Sequence, residues 1–210
     1  ISLVCAILWP YIGARKVSEK GARLPDGVYS YGIDISHFQG KVDWDSLMVM
    51  TDGAGRTMKS MKHAKDVRPV SYVFIKATEG TSMKDRNFHA NWRKAGEKGI
   101  RRGAYHFFRS SKDPVQQAHN FIKTVGGLRY KDLPPVLDIE TIHPGCSHKT
   151  LNERALKWLK TVEEHYDRKP IVYSSASFIE NILCKEITEN YPIWVAHYDT
   201  DKPRCSRWHI

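Results

Sequence analysis

Two carboxylates stand two positions apart in residues 134–140, whose sequence is PPVLDIE. Successive side chains of a strand alternate between its faces, so Asp138 and Glu140 are predicted to point the same way. Burying two acids side by side is unfavourable unless they are paired, hydrogen-bonded or used in chemistry. Neighbouring carboxylates also push their pKa values apart, and hydrolysis of a glycosidic bond requires one protonated and one ionised acid. The alternative is a strand end whose acids reach water or cap the next helix.

The segments that must position this pair alternate between short apolar strands and helical stretches from residue 31 onward. Strands are predicted at 31–36, 71–78, 102–108, 135–140, 170–174 and 192–198. Helices are predicted at 44–50, 87–98, 114–125, 151–165 and 177–183. This alternation indicates an α/β fold with a parallel sheet. The chain has no Gly-x-Gly-x-x-Gly loop, which favours a barrel over a nucleotide-binding doubly wound sheet.

In such a barrel the chemistry lies where strands end, at the carboxyl face. Polar and aromatic residues of the predicted strands collect there: Asp34, Lys76, Tyr105, Phe107, Asp138, Glu140, Tyr173, Trp194 and Asp199. Aromatic rings suit the apolar faces of sugar rings, and carboxylates with a lysine bond hydroxyls and amides. The set therefore indicates a groove for a carbohydrate.

Each of these residues also has a structural interpretation. Lys76 could neutralise a carboxylate in a structural pair, and Tyr105 and Phe107 could fill the barrel. Trp194 could pack its strand, and Asp199 could be a loop residue. His106, on the opposite strand face from Tyr105, is interpreted as a packing residue.

Composition describes a folded chain of one domain, or at most two. The 210 residues are 41% hydrophobic and 27% charged, which excludes a disordered protein. The net charge of +10 favours anionic partners such as nucleic acid, membrane headgroups or an acidic cell wall. Nucleic acid is not expected, because the basic residues are dispersed and form no run interleaved with aromatic residues. The cysteine spacing fits no zinc site, and no metal or other cofactor is expected.

The amino-terminal region is predicted to lie outside the domain. Residues 1–9 are apolar or small but too few to span a bilayer, which takes about 20 residues. We interpret residues 1–14 as the end of a membrane anchor or signal segment, with a buried strand or helix as the alternative, and residues 15–30 as a polar linker. Cys184 and Cys205 are candidates for a disulfide if the domain is exported.

Seven motifs occur in an order that resembles the family 25 glycoside hydrolases, which are lysozymes of the N-acetylmuramidase type. The motifs are GIDIS at 32–36, FQG at 38–40, DW at 43–44, IKATEG at 75–80, GAYHF at 103–107, LDIE at 137–140 and WVAHYD at 194–199. Each is weak alone, but together they are specific, and the resemblance covers about residues 31–210.

The resemblance implies an irregular TIM-like barrel of eight strands with fewer helices than strands. It also implies cleavage of the β-1,4 bond between N-acetylmuramic acid and N-acetylglucosamine in peptidoglycan, with retention of configuration. Glu140 matches the general acid and base. Asp138 matches a partner that acts as nucleophile or steers the substrate's N-acetyl group onto the anomeric carbon.

The remaining site residues are implied in the same way. Asp34 and Asp199 match two further acids, expected to form hydrogen bonds and tune pKa values. Lys76, Tyr105, Phe107 and Tyr173 match positions that line the groove, and Trp194 is added as a candidate sugar contact. A noncatalytic peptidoglycan-binding barrel, or a glycosidase of another N-acetylated polymer such as chitin, is the alternative function.

Three departures from the family pattern stand out. Residues 48–69 are longer than the usual connection and are expected to form an exposed excursion. Residues 141–149 directly follow Glu140 and are expected to shape the groove. The last barrel strand is expected to be missing, as in a fragment of a longer protein. The predicted protein is a monomer, exported and either membrane-anchored in the cell envelope or secreted.

Overall fold

The computed structural model of the chain describes residues 2–5, 29–52, 57–58, 62, 64–196 and 205. The strands are β1 (Ser2–Cys5), β2 (Tyr29–Ile35), β3 (Met48–Thr51), β4 (Thr57–Met58), β5 (Asp66–Pro69), β6 (Tyr72–Glu79), β7 (Met83–Lys84), β8 (Arg101–Phe107), β9 (Val136–Asp138), β10 (Ile171–Ser175) and β11 (Ile193–Ala196). The α-helices are α1 (Phe88–Glu97), α2 (Pro114–Val125), α3 (His148–Tyr166), α4 (Ala176–Asn181) and α5 (Lys185–Asn190), and a 3-10 helix covers His37–Gln39.

The main sheet is parallel and curled. Its strands follow the order β1-β2-β6-β8-β9-β10-β11, and the short β7 pairs with β6 in the antiparallel sense. Parallel neighbours need crossover connections, which α1, α2, α3 and the α4–α5 pair supply between β6 and β11. The described strands thus form a half barrel of mixed α/β class, and closure into the expected eight-stranded barrel stays a prediction.

Most predicted elements are confirmed within a few residues. The helix α2 shows why: the Asp113 carboxylate accepts a hydrogen bond from the Gln116 backbone N–H, and Pro114 occupies the first turn. Gly126 then ends the helix with a positive φ of 70°, which glycine adopts at little cost. The short helix α5 was not predicted.

The helix predicted at residues 44–50 is wrong. The Asp43 carboxylate accepts from the Asp45 backbone N–H at 3.1 Å, which holds a local turn, and β3 follows from Met48. In β3 the buried Val49 and Thr51 alternate with Met48 and Met50, a period that belongs to a strand. The described parts of residues 48–69 form a small antiparallel sheet in the order β4-β3-β5. Val49 joins the core, so the excursion is only partly exposed.

The sheet packs against the helices on its outer face and encloses a second cluster on its inner face. The outer cluster includes Phe121, Leu137 and Trp158, all fully buried. The inner cluster is formed by Tyr72, Phe74, Leu133, Val136, Ile171 and Trp194. It requires two glycines, because a Cβ on Gly32 would lie 2.1 Å from the Tyr72 ring and one on Gly103 would lie 2.3 Å from the Phe74 ring. The Tyr72 and Phe74 rings therefore pack directly against the backbone of β2 and β8 on the inner face.

The structure tests only some of the predictions about the chain termini and the cysteines. Residues 2–5 form β1, paired in parallel with residues 29–32, so Tyr29 and Ser30 belong to β2. The rest of residues 1–28, and Asp199, lie outside the described residues. The Cys184–Cys205 disulfide is not formed, because Cys184 carries a free thiol. Within the described ranges, no helix has the length and apolar character needed to cross a membrane.

Candidate active site

Strand register brings four of the predicted site residues into one row. Phe107 of β8 pairs with Asp138 of β9, Asp138 with Tyr173 of β10, and Tyr173 with Trp194 of β11. Side chains of paired residues in a parallel sheet point to the same face. The row therefore presents a carboxylate flanked by aromatic rings on the inner face, and Phe107 and Asp138 stand at the carboxyl ends of their strands.

Asp138 is the buried centre of this row. The residue is 9% exposed, and its Oδ1 atom has no hydrogen-bond partner among the described residues. Burial raises the pKa of Asp138 well above its usual value, and the nearby Glu140 and Asp34 carboxylates raise it further. Lys76 acts in the opposite direction. An unpaired buried carboxylate is costly, which makes this oxygen a candidate contact for a substrate.

Asp34 approaches the same point from β2. Its Oδ1 atom is also buried without a hydrogen-bond partner in the described part of the chain. Burial raises the pKa of Asp34 to about 6, with a further contribution from Glu140. Residues 104 positions apart in sequence, Asp34 and Asp138, thus share one electrostatic environment.

Glu140 is the most exposed acid of the three. It follows the end of β9, two residues beyond Asp138, and lies at the solvent edge of the cluster. Partial desolvation raises its pKa. Three acids that interact so closely cannot all ionise readily, so the cluster holds protons at a higher pH than isolated carboxylates do.

Lys76 lies beside the cluster but is held by another acid. Its Nζ atom donates to Glu79 Oε2 at 2.7 Å and lies 5.1 Å from the centre of the Phe107 ring. Glu79 also accepts from Arg109 Nε at 2.8 Å, and Arg109 contacts His143 Nε2 at 3.1 Å. We call these four residues, Lys76, Glu79, Arg109 and His143, the cation network. The lysine is therefore part of an ion-pair network as well as a neighbour of Asp138.

The segment 141–149 is attached to this network. The backbone N–H of His143 donates to Ser110 Oγ at 2.9 Å, and the Cys146 thiol donates to the Ser110 carbonyl at 3.5 Å. These contacts hold the chain that follows Glu140 against the loop after β8. The expectation that this segment shapes the groove agrees with its position.

Tyr105 joins the cluster from β8. Burial and the charges of Asp34, Asp138 and Asp85 raise the pKa of its phenol well above the usual value, and it hydrogen-bonds to Ser36. The tyrosine thus remains a neutral hydroxyl group beside two carboxylates. Asp85 is itself held in place, because its Oδ2 atom accepts from both the backbone N–H and the ring of His37 at 2.8 and 2.7 Å.

The remaining aromatic residues form the floor of the groove. The Trp194 ring, in a residue only 6% exposed, lies 4.9 Å from Phe74 and 4.8 Å from Tyr173, measured between ring centroids. Tyr173 and Phe107 are half-buried and stand above this floor. His106 points to the outer face, as the sequence predicts, and contacts Thr78 Oγ1 and Gln117 Oε1 at 2.7 and 3.1 Å. Burial lowers its pKa to about 4, so its imidazole is neutral.

Sequence analysis missed four residues of the site: Ser36, Asp85, Arg109 and His143. Ser36 ends a predicted strand, Arg109 directly follows one, and His143 lies three residues beyond one, so position near a strand end is the signal that could have identified them. Asp85 carries no such signal, because it comes after the short antiparallel β7. Among the described residues, no group of three or more side chains is arranged to hold a metal ion.

Replacing Glu79 with glutamine tests the cation network. We expect a loss of about 1.5 kcal/mol in the free energy of unfolding, because three charge-assisted hydrogen bonds, one from Lys76 and two from Arg109, are weakened. Glu79 raises the pKa of Asp138, so its neutralisation is expected to lower that pKa and shift the pH profile of any activity toward lower pH. Urea denaturation and a pH–rate profile measure both effects. The control is Glu97→Gln, which removes an exposed acid paired with Arg93 on α1. An unchanged profile in Glu79→Gln would contradict the role of the network.

Comparison with known proteins shows which family the chain resembles. Residues 33–209 match the family model described as glycosyl hydrolases family 25. The uncharacterized protein YegX of Escherichia coli K12 is 37% identical over 193 residues, which cover 92% of this chain and 65% of YegX. Lysozyme M1 of Streptomyces globisporus is 33% identical over 182 residues, covering 82% of this chain and 56% of that protein.

A solved structure agrees with the fold. The bacterial lysozyme from Streptomyces coelicolor superimposes with a TM-score of 0.68 at 31% identity, covering 84% of this chain and 80% of the lysozyme chain. The chain spans less than two thirds of the length of the curated relatives named above.

Proposed function

The chain belongs to glycosyl hydrolase family 25, and on that premise we propose that it is a muramidase that hydrolyses the β-1,4 bond between N-acetylmuramic acid and N-acetylglucosamine in peptidoglycan. The observation that carries the proposal is the buried Asp138 carboxylate, whose Oδ1 atom has no partner within the described residues, with Glu140 two positions further on. Carboxylates so placed supply both the acid and the stabilising charge of glycoside hydrolysis.

Glu140 is proposed as the general acid and base. Its proton passes to the glycosidic oxygen as the bond from that oxygen to the anomeric carbon breaks, and the N-acetylglucosamine end leaves as an alcohol. The resulting carboxylate then takes a proton from the water that attacks the anomeric carbon. The raised pKa of Glu140 supports this role, because the acid must still hold its proton near neutral pH.

Asp138 is proposed to stabilise the positive charge that develops on the sugar. Glu140 follows Asp138 by two residues at the end of β9, so the two carboxylates are proposed to approach the substrate from the same side. This arrangement favours a route in which Asp138 orients the substrate's N-acetyl group for attack over direct attack by Asp138. Asp34 and Tyr105, which share the electrostatic environment of Asp138, would then tune its protonation.

The groove is proposed to hold sugars above the aromatic floor. Phe107 and Tyr173 flank Asp138 in the register row and offer apolar faces to sugar rings. The same proposal predicts that Asp199 is a further acid of the site and that Trp194 contacts a sugar. Because peptidoglycan lies outside the cytoplasm, we also propose that the protein acts in the cell envelope or after secretion.

Product analysis tests the proposed reaction. Purified peptidoglycan incubated with the protein is expected to yield muropeptides whose reducing end is N-acetylmuramic acid, identified by mass spectrometry after borohydride reduction. Chitin oligomers of matched length serve as the control substrate and are expected to remain intact. If the protein cleaved chitin but not peptidoglycan, its substrate would be an N-acetylated polymer other than peptidoglycan. If folded protein cleaved neither polymer, the enzymatic function would be overturned.

A further inference from the structure

A second cavity lies at the opposite end of the sheet from the carboxylates. It has a volume of about 430 Å³ and is lined by Arg101, Tyr130, Lys131, Asp132, Pro134 and Arg168. Arg101 begins β8, whereas Phe107 ends it, so the cavity and the register row are separated by roughly 20 Å, the length of seven strand residues. We call it the basic pocket.

The lining of the basic pocket has an excess of positive charge. Arg101, Lys131 and Arg168 contribute three cations, and Asp132 is the one acid in the lining. Asp132 is already engaged, because its Oδ1 atom accepts from Arg102 Nε and its Oδ2 atom accepts from the Arg129 backbone N–H, both at 2.8 Å. The three cations therefore face the pocket without an acid of its lining to neutralise them.

The loop that forms the pocket is held rigidly. The backbone N–H of Asp132 donates to the Arg129 carbonyl at 3.0 Å, which closes a turn. Arg168 donates to the carbonyls of Asp132 and Arg129 at 2.8 and 3.1 Å. The buried Arg102, which pairs with Asp132, also donates to the Trp92 carbonyl at 2.6 Å. Two arginines thus fix the position of residues 129–132.

This rigid loop displays an aromatic ring to solvent. Tyr130 is 94% exposed, far more than the other large hydrophobic residues that the described chain exposes. An exposed ring contributes nothing to the core, yet here it is presented on a turn that cannot move easily. Exposed tyrosines beside arginines are typical of recognition surfaces, where the ring supplies contact area at a low cost in conformational entropy.

We propose that the basic pocket is a second binding site for peptidoglycan that takes the carboxylates of its peptide stems. The Arg101 guanidinium would bind a carboxylate in a bidentate manner, with Lys131 and Arg168 adding positive charge beside it, and the Tyr130 ring would cover an adjacent apolar part of the stem or sugar. This inference rests on the proposed function. A site roughly 20 Å from the catalytic groove would hold the protein on the stems of a neighbouring strand while the groove releases its products. The small pocket lacks the long basic stripe that a nucleic-acid backbone requires.

Three exposed residues allow a test that spares the fold. All proteins compared carry Glu140→Gln in the full chain, which prevents cleavage. The pocket variant carries Arg101→Gln, Tyr130→Ala and Lys131→Gln in addition. The matched control carries Lys157→Gln and Lys185→Gln, which remove two exposed charges from α3 and α5. Binding is measured by co-sedimentation with intact peptidoglycan and with glycan strands from which the peptide stems have been removed. We expect the pocket variant to bind intact peptidoglycan roughly tenfold more weakly, and the control variant to be unchanged.

Stem-free glycan separates the outcomes. All variants are expected to bind it equally, and the pocket substitutions in an otherwise unaltered protein are expected to leave cleavage of short stem-free oligomers unchanged. Equal binding of pocket and control variants to intact peptidoglycan would overturn the proposal. An equal loss of binding to stem-free strands in the pocket variant would also overturn it. So would competition by duplex DNA that weakens peptidoglycan binding through the same residues. Failure of the proposed function appears separately, as the absence of cleavage of any substrate by the unaltered protein.

Discussion

Replacement of Glu140 by glutamine is expected to lower the turnover of peptidoglycan by about 10³-fold, with little change in the apparent affinity. Glutamine keeps the size and hydrogen-bonding capacity of the side chain but cannot transfer a proton, and general acid catalysis contributes about 10²- to 10⁴-fold to such rates. The measurement is the release of reducing ends from purified peptidoglycan under saturating conditions. Because the acid must be protonated, activity of the unaltered protein is expected to fall as the pH rises above the raised pKa of Glu140.

The control for this variant is Glu153→Gln, which neutralises an exposed acid on α3. It removes the same charge from the surface of the protein and is expected to leave turnover within twofold. Circular dichroism should show that both variants keep the fold. Turnover of Glu140→Gln within tenfold of the unaltered protein would exclude Glu140 as the general acid.

Replacement of Asp34 by asparagine is expected to stabilise the fold at neutral pH while reducing activity. Burial raises the pKa of Asp34 from 3.8 to about 6, so between these values the folded protein keeps a proton that the unfolded chain has released. The free energy of unfolding therefore falls as pH rises through this window, by up to about 3 kcal/mol. Asparagine removes this penalty, so the variant should gain stability above pH 6 and lose the gain below about pH 4.

Urea denaturation across pH 4 to 8 measures this effect. Asp45→Asn is the matched control, because Asp45 is an exposed acid whose pKa is lowered by its contact with Lys98. That substitution removes a favourable interaction and should not stabilise the protein at any pH. A pH-independent difference between Asp34→Asn and the unaltered protein would contradict the burial of an ionised Asp34. Reduced turnover in Asp34→Asn would support its place in the carboxylate cluster.

The sequence predicted the fold well where local signals agree with one another. The helix α2 has a capping aspartate, a proline in its first turn and a glycine at its end, and its predicted bounds match the structure. The sequence failed at residues 44–50, for which it predicted a helix. There the chain forms a turn and then pairs with β4 and β5, because strand pairing and the burial of Val49 outweigh a local preference.

The candidate site was predicted in its parts but not in its contacts. Asp34, Lys76, Tyr105 and Asp138 were chosen because they lie along or late in predicted strands, and the structure brings their side chains into one electrostatic environment. The engagement of Lys76 by Glu79 was one of two interpretations, and sequence spacing could not choose between them. Arg109 and His143 were not predicted, because they reach the site from loops whose course depends on Ser110 and segment 141–149.

The sequence by itself determined the approximate strand and helix positions, the paired acids of residues 138 and 140, and the motifs that indicate the family. Local periodicity and capping suffice for these, because they depend on neighbours within a few residues. The tertiary structure decided the register that aligns Phe107, Asp138, Tyr173 and Trp194. It also decided which carboxylate oxygens are buried without a partner, and it created the basic pocket from residues 101–168. Burial and long-range electrostatics arise from the whole fold, so no window of sequence contains them.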